Sequence, residues 1–247
     1  MPEIKNFKYH ASTLGLTAHI TQPFDQAICP QAAVTLPDAG GFVHEHVNDF
    51  NFRDLFMFDK AVAFAAGSFS AKDNAFDATA SVTLEGLNIL NVITADRVTA
   101  RVASNHPKSG VQPFITPSGS SFQNLRIAGY MAEVELAIDT FAEFGTYEQL
   151  SKALDNPDMK GHIQPQILSK ANNGVLTATL VRSIRGLGKE IEVKGNQIRI
   201  PEFGILRLAT VEVSERRRRV SMLQFELGST PSGPGSAGGA EGNGSDG

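Results

Sequence analysis

His44 and His46 are the side chains whose type and spacing most directly suggest chemistry. They stand in the stretch GFVHEHVNDFNFRDLFMF, residues 41–58. On an extended strand, residues two apart share a face with Cα atoms about 7 Å apart, close enough for both imidazoles to reach one metal ion. Zinc or another transition metal is the cofactor this pair admits, and a metal-dependent enzyme is one function class that follows. A catalytic zinc needs a third protein ligand and an open position. Asp49, Asp54, His10, His19 and Glu45 are the candidates, and spacing alone brings none of them to the pair. The competing reading makes both histidines polar residues on the rim of a strand, with Phe50, Phe52, Leu55, Phe56 and Phe58 filling a core.

The second concentration of chemistry is the run Arg216, Arg217, Arg218 and Arg219 in VEVSERRRRVSMLQFEL. It falls between two strand-like segments, where a hairpin tip is expected, so four guanidinium groups crowd one exposed loop. Such a cluster captures phosphate, an acidic partner or an anionic headgroup. Alternatively it is a solvated edge whose charge resists wrong pairing. No aromatics interleave it, which argues against a platform for single-stranded nucleic acid.

Other constellations are missing. No serine sits in a Gly-x-Ser-x-Gly elbow, and GLGKE at 186–190 lacks the spacing of a phosphate loop. No Asp-x-Asp-x-Asp-Gly calcium loop occurs. The carboxylates of VELAID and DNPD read as solvated charges. Cys29, the single cysteine, has no neighbouring charge to activate it and reads as a small buried hydrophobe.

The elements that must position these residues are strands. In DATASVTLE, Ala78, Ala80, Val82 and Leu84 take one face, while Asp77, Thr79, Ser81, Thr83 and Glu85 take the other. DRVTARVAS repeats the pattern with Val98, Ala100 and Val102 inward, and AEVELAI with Ala132, Val134, Leu136 and Ile138. One wet face per strand points to antiparallel or solenoid packing and not to a sheet covered by helices on both sides. Gly195-Asn196 in EIEVKGNQIRI predicts a two-residue hairpin pairing Lys194 with Gln197, Val193 with Ile198, Glu192 with Arg199 and Ile191 with Ile200. Asn173-Gly174 and Ala128-Gly129 are two further hairpin signals. One short helix is expected over about 146–156, with Thr146 and Gln149 as a capping box and Asn156-Pro157 as its stop.

A chain of 247 residues with 41% hydrophobic and 19% charged side chains has enough apolar material for a large core. A net charge of -4 offers no basic field for nucleic acid. With one cysteine the fold holds without an intrachain disulfide. No run approaches the roughly 18 apolar residues of a transmembrane segment. MPEIKNFKYH places charges where a secretory leader needs its apolar stretch, which makes the cytoplasm the default location. The end, GSTPSGPGSAGGAEGNGSDG, holds no large apolar side chain and reads as a flexible tail.

The stretch ATASVTLEGLNILNVITADRVTARVAS, residues 78–104, resembles the choice-of-anchor P family of uncharacterised bacterial proteins. In that family a Thr/Ala-rich strand runs into "GLN-apolar-L" and then "TAD-x-V-x-A". GSSFQNLRIAG, residues 119–129, is similar to that family's next segment, and IRIPEFGILRLATVEVSERRRRVSMLQFELG to the end of related hypothetical proteins. The resemblance implies a bacterial, β-rich protein often associated with export or the cell surface, and it brings no catalytic residue.

The expectation is therefore an all-β antiparallel sandwich over residues 1–229, with one short helix and a disordered tail over 230–247. A β-solenoid or a barrel is the alternative architecture. The function expected is a non-enzymatic binding or self-assembling structural module, for which a homo-oligomer is the natural partner. The alternatives are a His-x-His metal enzyme and a ligand-holding barrel drawing on Phe50 to Phe64.

Overall fold

The computed structural model describes residues 7–109, 112–171, 174–228 and 231–246. In chain order the strands are β1 (Phe7–Ile20), β2 (Gln26–Gln31), β3 (Val34–Thr35), β4 (Gly41–Phe52), β5 (Phe56–Ser70), β6 (Ala75–Ile89), β7 (Ile93–Pro107), β8 (Phe114–Thr116), β9 (Ser121–Gln123), β10 (Arg126–Ile127), β11 (Tyr130–Met131) and β12 (Glu133–Leu136). Helices α1 (Ile138–Glu143), α2 (Tyr147–Asp155) and α3 (Pro157–Ile163) follow, with a 3-10 turn over Gln164–Gln166. The chain returns to strands with β13 (Ile167–Lys170), β14 (Leu176–Thr179), β15 (Val181–Arg185), β16 (Glu192–Lys194), β17 (Gln197–Ile200), β18 (Gly204–Val213), β19 (Arg217–Gly228) and β20 (Ser232–Asp246).

Two antiparallel sheets pack face to face. One runs β11-β10-β7-β6-β5-β4, with β8 and β9 also on β7. The other runs β13-β14-β18-β19-β20-β1-β2, with β17 on β18, β16 on β17 and β3 on β1. A small ladder joins β12 to β15. This is the sandwich-like, all-β architecture expected. Neither sheet closes on itself, so the barrel alternative falls, and the antiparallel pairing throughout does not build the rungs of a solenoid.

Period-two alternation sets which face is dry. Ala61, Ala63 and Ala65 on β5, Ala80, Val82 and Leu84 on β6, and Val98, Ala100 and Val102 on β7 are fully buried. Thr79, Thr83, Arg97, Thr99 and Arg101 face outward, as the sequence pattern requires. The Phe56 and Phe225 rings stack across the interface with centroids 5.7 Å apart. Phe56 and Phe58 are core residues as expected, whereas Phe50, Phe52 and Leu55 are only half-buried.

The expected flexible tail is instead a strand. β20 lies inside the ten-stranded sheet, paired along its length with β1 on one side and β19 on the other. Its glycines permit the sheets to approach. A Cβ on Gly242 would sit 2.9 Å from Val102 Cγ1 and one on Gly238 3.2 Å from Val98 Cγ1, both on the facing β7, while one on Gly235 would collide with the Phe225 ring of the neighbouring β19. Glycine in a strand interior marks such close approach. Two full ladders of backbone hydrogen bonds, with Ala237 and Ala240 buried between the sheets, offset the ordering entropy that composition alone suggested was unmet.

The helical part is also longer than expected. Ile138, expected to continue a strand, starts α1, because the β12 ladder ends at Leu136. α2 has the expected capping box, with the Thr146 hydroxyl accepting from Gln149 N and the Gln149 side chain accepting from Thr146 N. Pro157 ends α2 but opens α3 as its first residue, where its missing N–H costs nothing. Among the described residues no helix is long and apolar enough to cross a membrane.

Candidate functional site

β4 is the last strand of its sheet, and the residues that hold it there are local. The turn into β5 places Arg53 and Asp54 at φ of 53° and 56°. Asn51 braces it, accepting from Asp54 N at 2.8 Å and donating to the Asp54 carboxylate at 2.7 Å. The resulting register sets His44 opposite Phe64 and His46 opposite Val62. Only β5 pairs with β4, so among the described residues its other edge, twelve residues long, carries unpaired backbone groups.

Both histidines are exposed on the outer face of the sheet. The Phe42 and His44 rings stack with centroids 5.5 Å apart, and Phe64 lies 6.2 Å from Phe42. Phe42 is 64% exposed and Val62 37%. Further across the same face the side chains are paired with one another: Thr83 with Thr99 at 3.2 Å, Glu85 with Arg97 at 2.8 Å and Asp77 with Asn105 at 2.7 Å. The face therefore has two halves. Its interior is polar, with several side chains paired to one another, and its open corner carries Phe42, His44, His46, Val62 and Phe64.

None of the candidate third ligands reaches the histidines. Glu45 belongs to the opposite face and accepts a hydrogen bond from Ala33 N at 2.7 Å. Asp54 is engaged by Asn51. His10 and His19 lie on β1 in the other sheet, where His19 pairs with Asp25. Among the described residues no three His, Cys, Asp or Glu side chains gather as a metal site. Among the described residues the histidine constellation is therefore two imidazoles on one face of a strand with an open edge.

The arginine run is not the single exposed cluster expected at a hairpin tip. It enters β19, whose alternation sends successive side chains to opposite faces. Arg217 and Arg219 face outward and both reach Glu241, at 3.2 and 2.8 Å; Arg219 also approaches Glu212 at 3.8 Å. Arg218 points inward and is 2% exposed. It donates to the carbonyls of Phe141 and Phe144 at the end of α1, at 3.2 and 2.5 Å. Burial pushes its pKa down to about 10, which leaves it charged at neutral pH. Only Arg216 stays in the exposed bend. The four do not form one anion site: one is a structural clamp on a helix end, and two are neutralised by carboxylates.

A trough of about 680 Å³ lies on the outer face of the ten-stranded sheet beside β20, lined by Thr17, His19, Cys29, Arg207, Gln224 and Ser236 among others. Cys29 is exposed there, not buried as its composition suggested. Arg207 is paired with Glu226 at 3.0 Å.

Sequence reading missed Phe42 and Val62, and it offered Phe64 only as the lining of a barrel interior, whereas Phe64 lies on the outer face opposite His44. The signal was available for Phe42, which shares strand parity with His44 and His46, so the three had to lie on one face. No curated protein and no solved structure matches the chain. The family described as "Domain of unknown function (DUF8256)" matches residues 7–170, a span that holds the entire eight-stranded sheet and the β4 edge, and the chain belongs to that family.

Proposed function

We propose that this protein is a non-enzymatic structural β-module that works by associating with further copies of itself through the open β4 edge. The observation that carries the reading is the edge of the twelve-residue β4 that is unpaired among the described residues, with exposed Phe42 on β4 itself and exposed Val62 on the adjoining β5. A long, flat, partly apolar edge is a template for another strand unless charge, proline or a cover blunts it. β4 contains no Lys, Arg or Pro; its charged side chains are Glu45, half-buried on the inner face, and Asp49, exposed towards the far end of the strand. Strand addition gives affinity through main-chain hydrogen bonds and leaves register to the side chains.

A metal-dependent enzyme is the poorer fit, because among the described residues the two histidines gather no third ligand. Sedimentation velocity across a concentration series, on protein purified without chelator, tests the assembly reading. Dimers or larger species are expected for the native chain. The double variant Phe42→Lys/Val62→Lys, which puts one cation on the edge strand and another on β5 opposite His46, is expected to stay monomeric. A native chain that remains monomeric at every concentration, with or without added metal, would overturn the reading.

A further inference from the structure

The histidine pair is half of a tetrahedral ligand set, and the strand that carries it lacks a neighbour. We propose that the protein binds a zinc-class divalent cation between two copies of the chain, paired antiparallel along β4, with His44 and His46 of each copy as its four ligands. The inference rests on the self-association reading above and names its partner and its ligand.

Register selects the arrangement. In a two-fold antiparallel pairing the axis passes through one residue, and opposed residues share a face. With Glu45 on the axis, His44 faces the partner's His46 and His46 faces the partner's His44. The four imidazoles then rise from one face of a continuous sheet, about 7 Å apart along each strand and about 5 Å apart across the pair. That rectangle is small enough for all four ring nitrogens to converge on one ion at the ~2.0–2.1 Å of a zinc–imidazole bond.

The neighbouring registers fail. An axis on His44 sets Phe42 against the partner's His46 and Val43 against the partner's Glu45. An axis on His46 sets His44 against the partner's Asn48. The Glu45-centred register also covers the half-buried apolar side chains of the inner face, because Val43 then opposes the partner's Val47 and Val47 the partner's Val43. Ligand convergence and apolar coverage are separate demands, and the same register meets both.

This register opposes Glu45 with its own copy on the inner face. Like charges directly opposite disfavour pairing, although each carboxylate already accepts the Ala33 N–H. The metal-free edges therefore close weakly, and a doubly positive ion on the other face supplies the missing attraction. The Phe42 ring stacks on that of His44 and is itself flanked by Phe64, which limits the positions that imidazole can take. Four imidazoles in a tetrahedral set suit zinc, which takes nitrogen ligands with no geometric preference of its own.

The test is sedimentation velocity of the full chain, stripped with EDTA and then titrated with zinc chloride alone, with metal content measured on the separated species. The proposal expects a dimer that forms on zinc addition, holds one zinc per two chains and dissociates in EDTA. It also expects His44→Gln and His46→Gln each to weaken zinc-dependent dimerisation by at least ~10–100-fold, with unchanged circular dichroism as the control for folding. A dimer that persists in EDTA and ignores both substitutions would overturn the metal inference and leave the assembly reading standing. One zinc per monomer without dimerisation would also overturn the inference. A monomer under every condition would overturn both.

Discussion

β4 and β20 are mirror cases of one rule. β4 has the amphipathic, aromatic sequence of a core strand, yet it ends its sheet with one edge bare. β20 is mostly glycine, serine and alanine, with no large apolar side chain to bury, yet it lies inside its sheet, paired on both edges. Side chains decide which face of a strand is wet. What decides whether a strand is central is how many neighbours its backbone finds and how closely the opposite layer must approach.

The comparison breaks most decisively at β20. Removing residues 232–246 takes a strand out from between β1 and β19 and exposes two long edges together with the core face beneath them, so cooperative urea unfolding is expected to disappear. A flexible tail would be removable with no change. Filling the strand is the milder form of the same test. Gly235→Val drives a side chain into the buried Phe225 ring and is expected to cost about 2–3 kcal/mol of unfolding free energy.

Next in size is Arg218. Its Arg218→Met variant keeps the apolar stem but leaves the carbonyls of Phe141 and Phe144 without their donor, with an expected loss of about 2–4 kcal/mol by denaturant unfolding. The exposed corner of β4 should behave oppositely: Phe42→Lys/Val62→Lys is expected to change stability by less than about 0.5 kcal/mol while abolishing association. A variant that unfolds the chain there would show that β4 is more buried than its edge position allows.

The smallest effect is at Asp139. The Arg182 guanidinium that donates to its carboxylate, at 2.7 Å, holds its pKa below the usual value, with the Thr140 backbone N–H adding to the effect. A carboxylate with a depressed folded pKa stabilises the fold above its unfolded pKa of about 3.9, and that stabilisation is lost as pH falls through the lower folded value. Urea midpoints of native chain and Asp139→Asn should therefore differ slightly at neutral pH and converge in strong acid.

Much of the scaffold was legible because it rests on local rules. The alternation of β6 and β7 gave their buried faces. The Gly195-Asn196 turn gave three of its four expected pairs, and Ile191–Ile200 falls outside the ladder. Half of its tip turns inward: Gly195 is exposed, whereas Asn196 is buried and donates to the Leu208 carbonyl at 2.8 Å. Ala128 and Gly129, at φ of 50° and 85°, form the expected tight turn between β10 and β11. Asn173 of the third hairpin signal lies outside the described residues. Ile167–Lys170 and Leu176–Thr179, on either side of it, pair as β13 and β14.

What could not be read depends on partners distant in sequence. Nothing in SGPGSAGGAEG announces that β1, more than two hundred residues earlier, waits beside it. Nothing in RRRR tells which arginine turns inward, because parity is fixed only once β19 is placed against β18 and β20. The same limit applies to the histidines: their spacing was plain, and their lack of a third ligand followed only from the sheet that holds them.

Hydrogen–deuterium exchange at two protein concentrations tests the contrast most directly. The account predicts that amides over 233–242 exchange as slowly as those of β1 and β19 at both concentrations. It also predicts that alternate amides of β4 exchange rapidly in dilute, chelated protein and become protected when zinc and higher concentration close the edge. Fast exchange throughout 233–242, or a β4 fully protected in the dilute monomer, would contradict it.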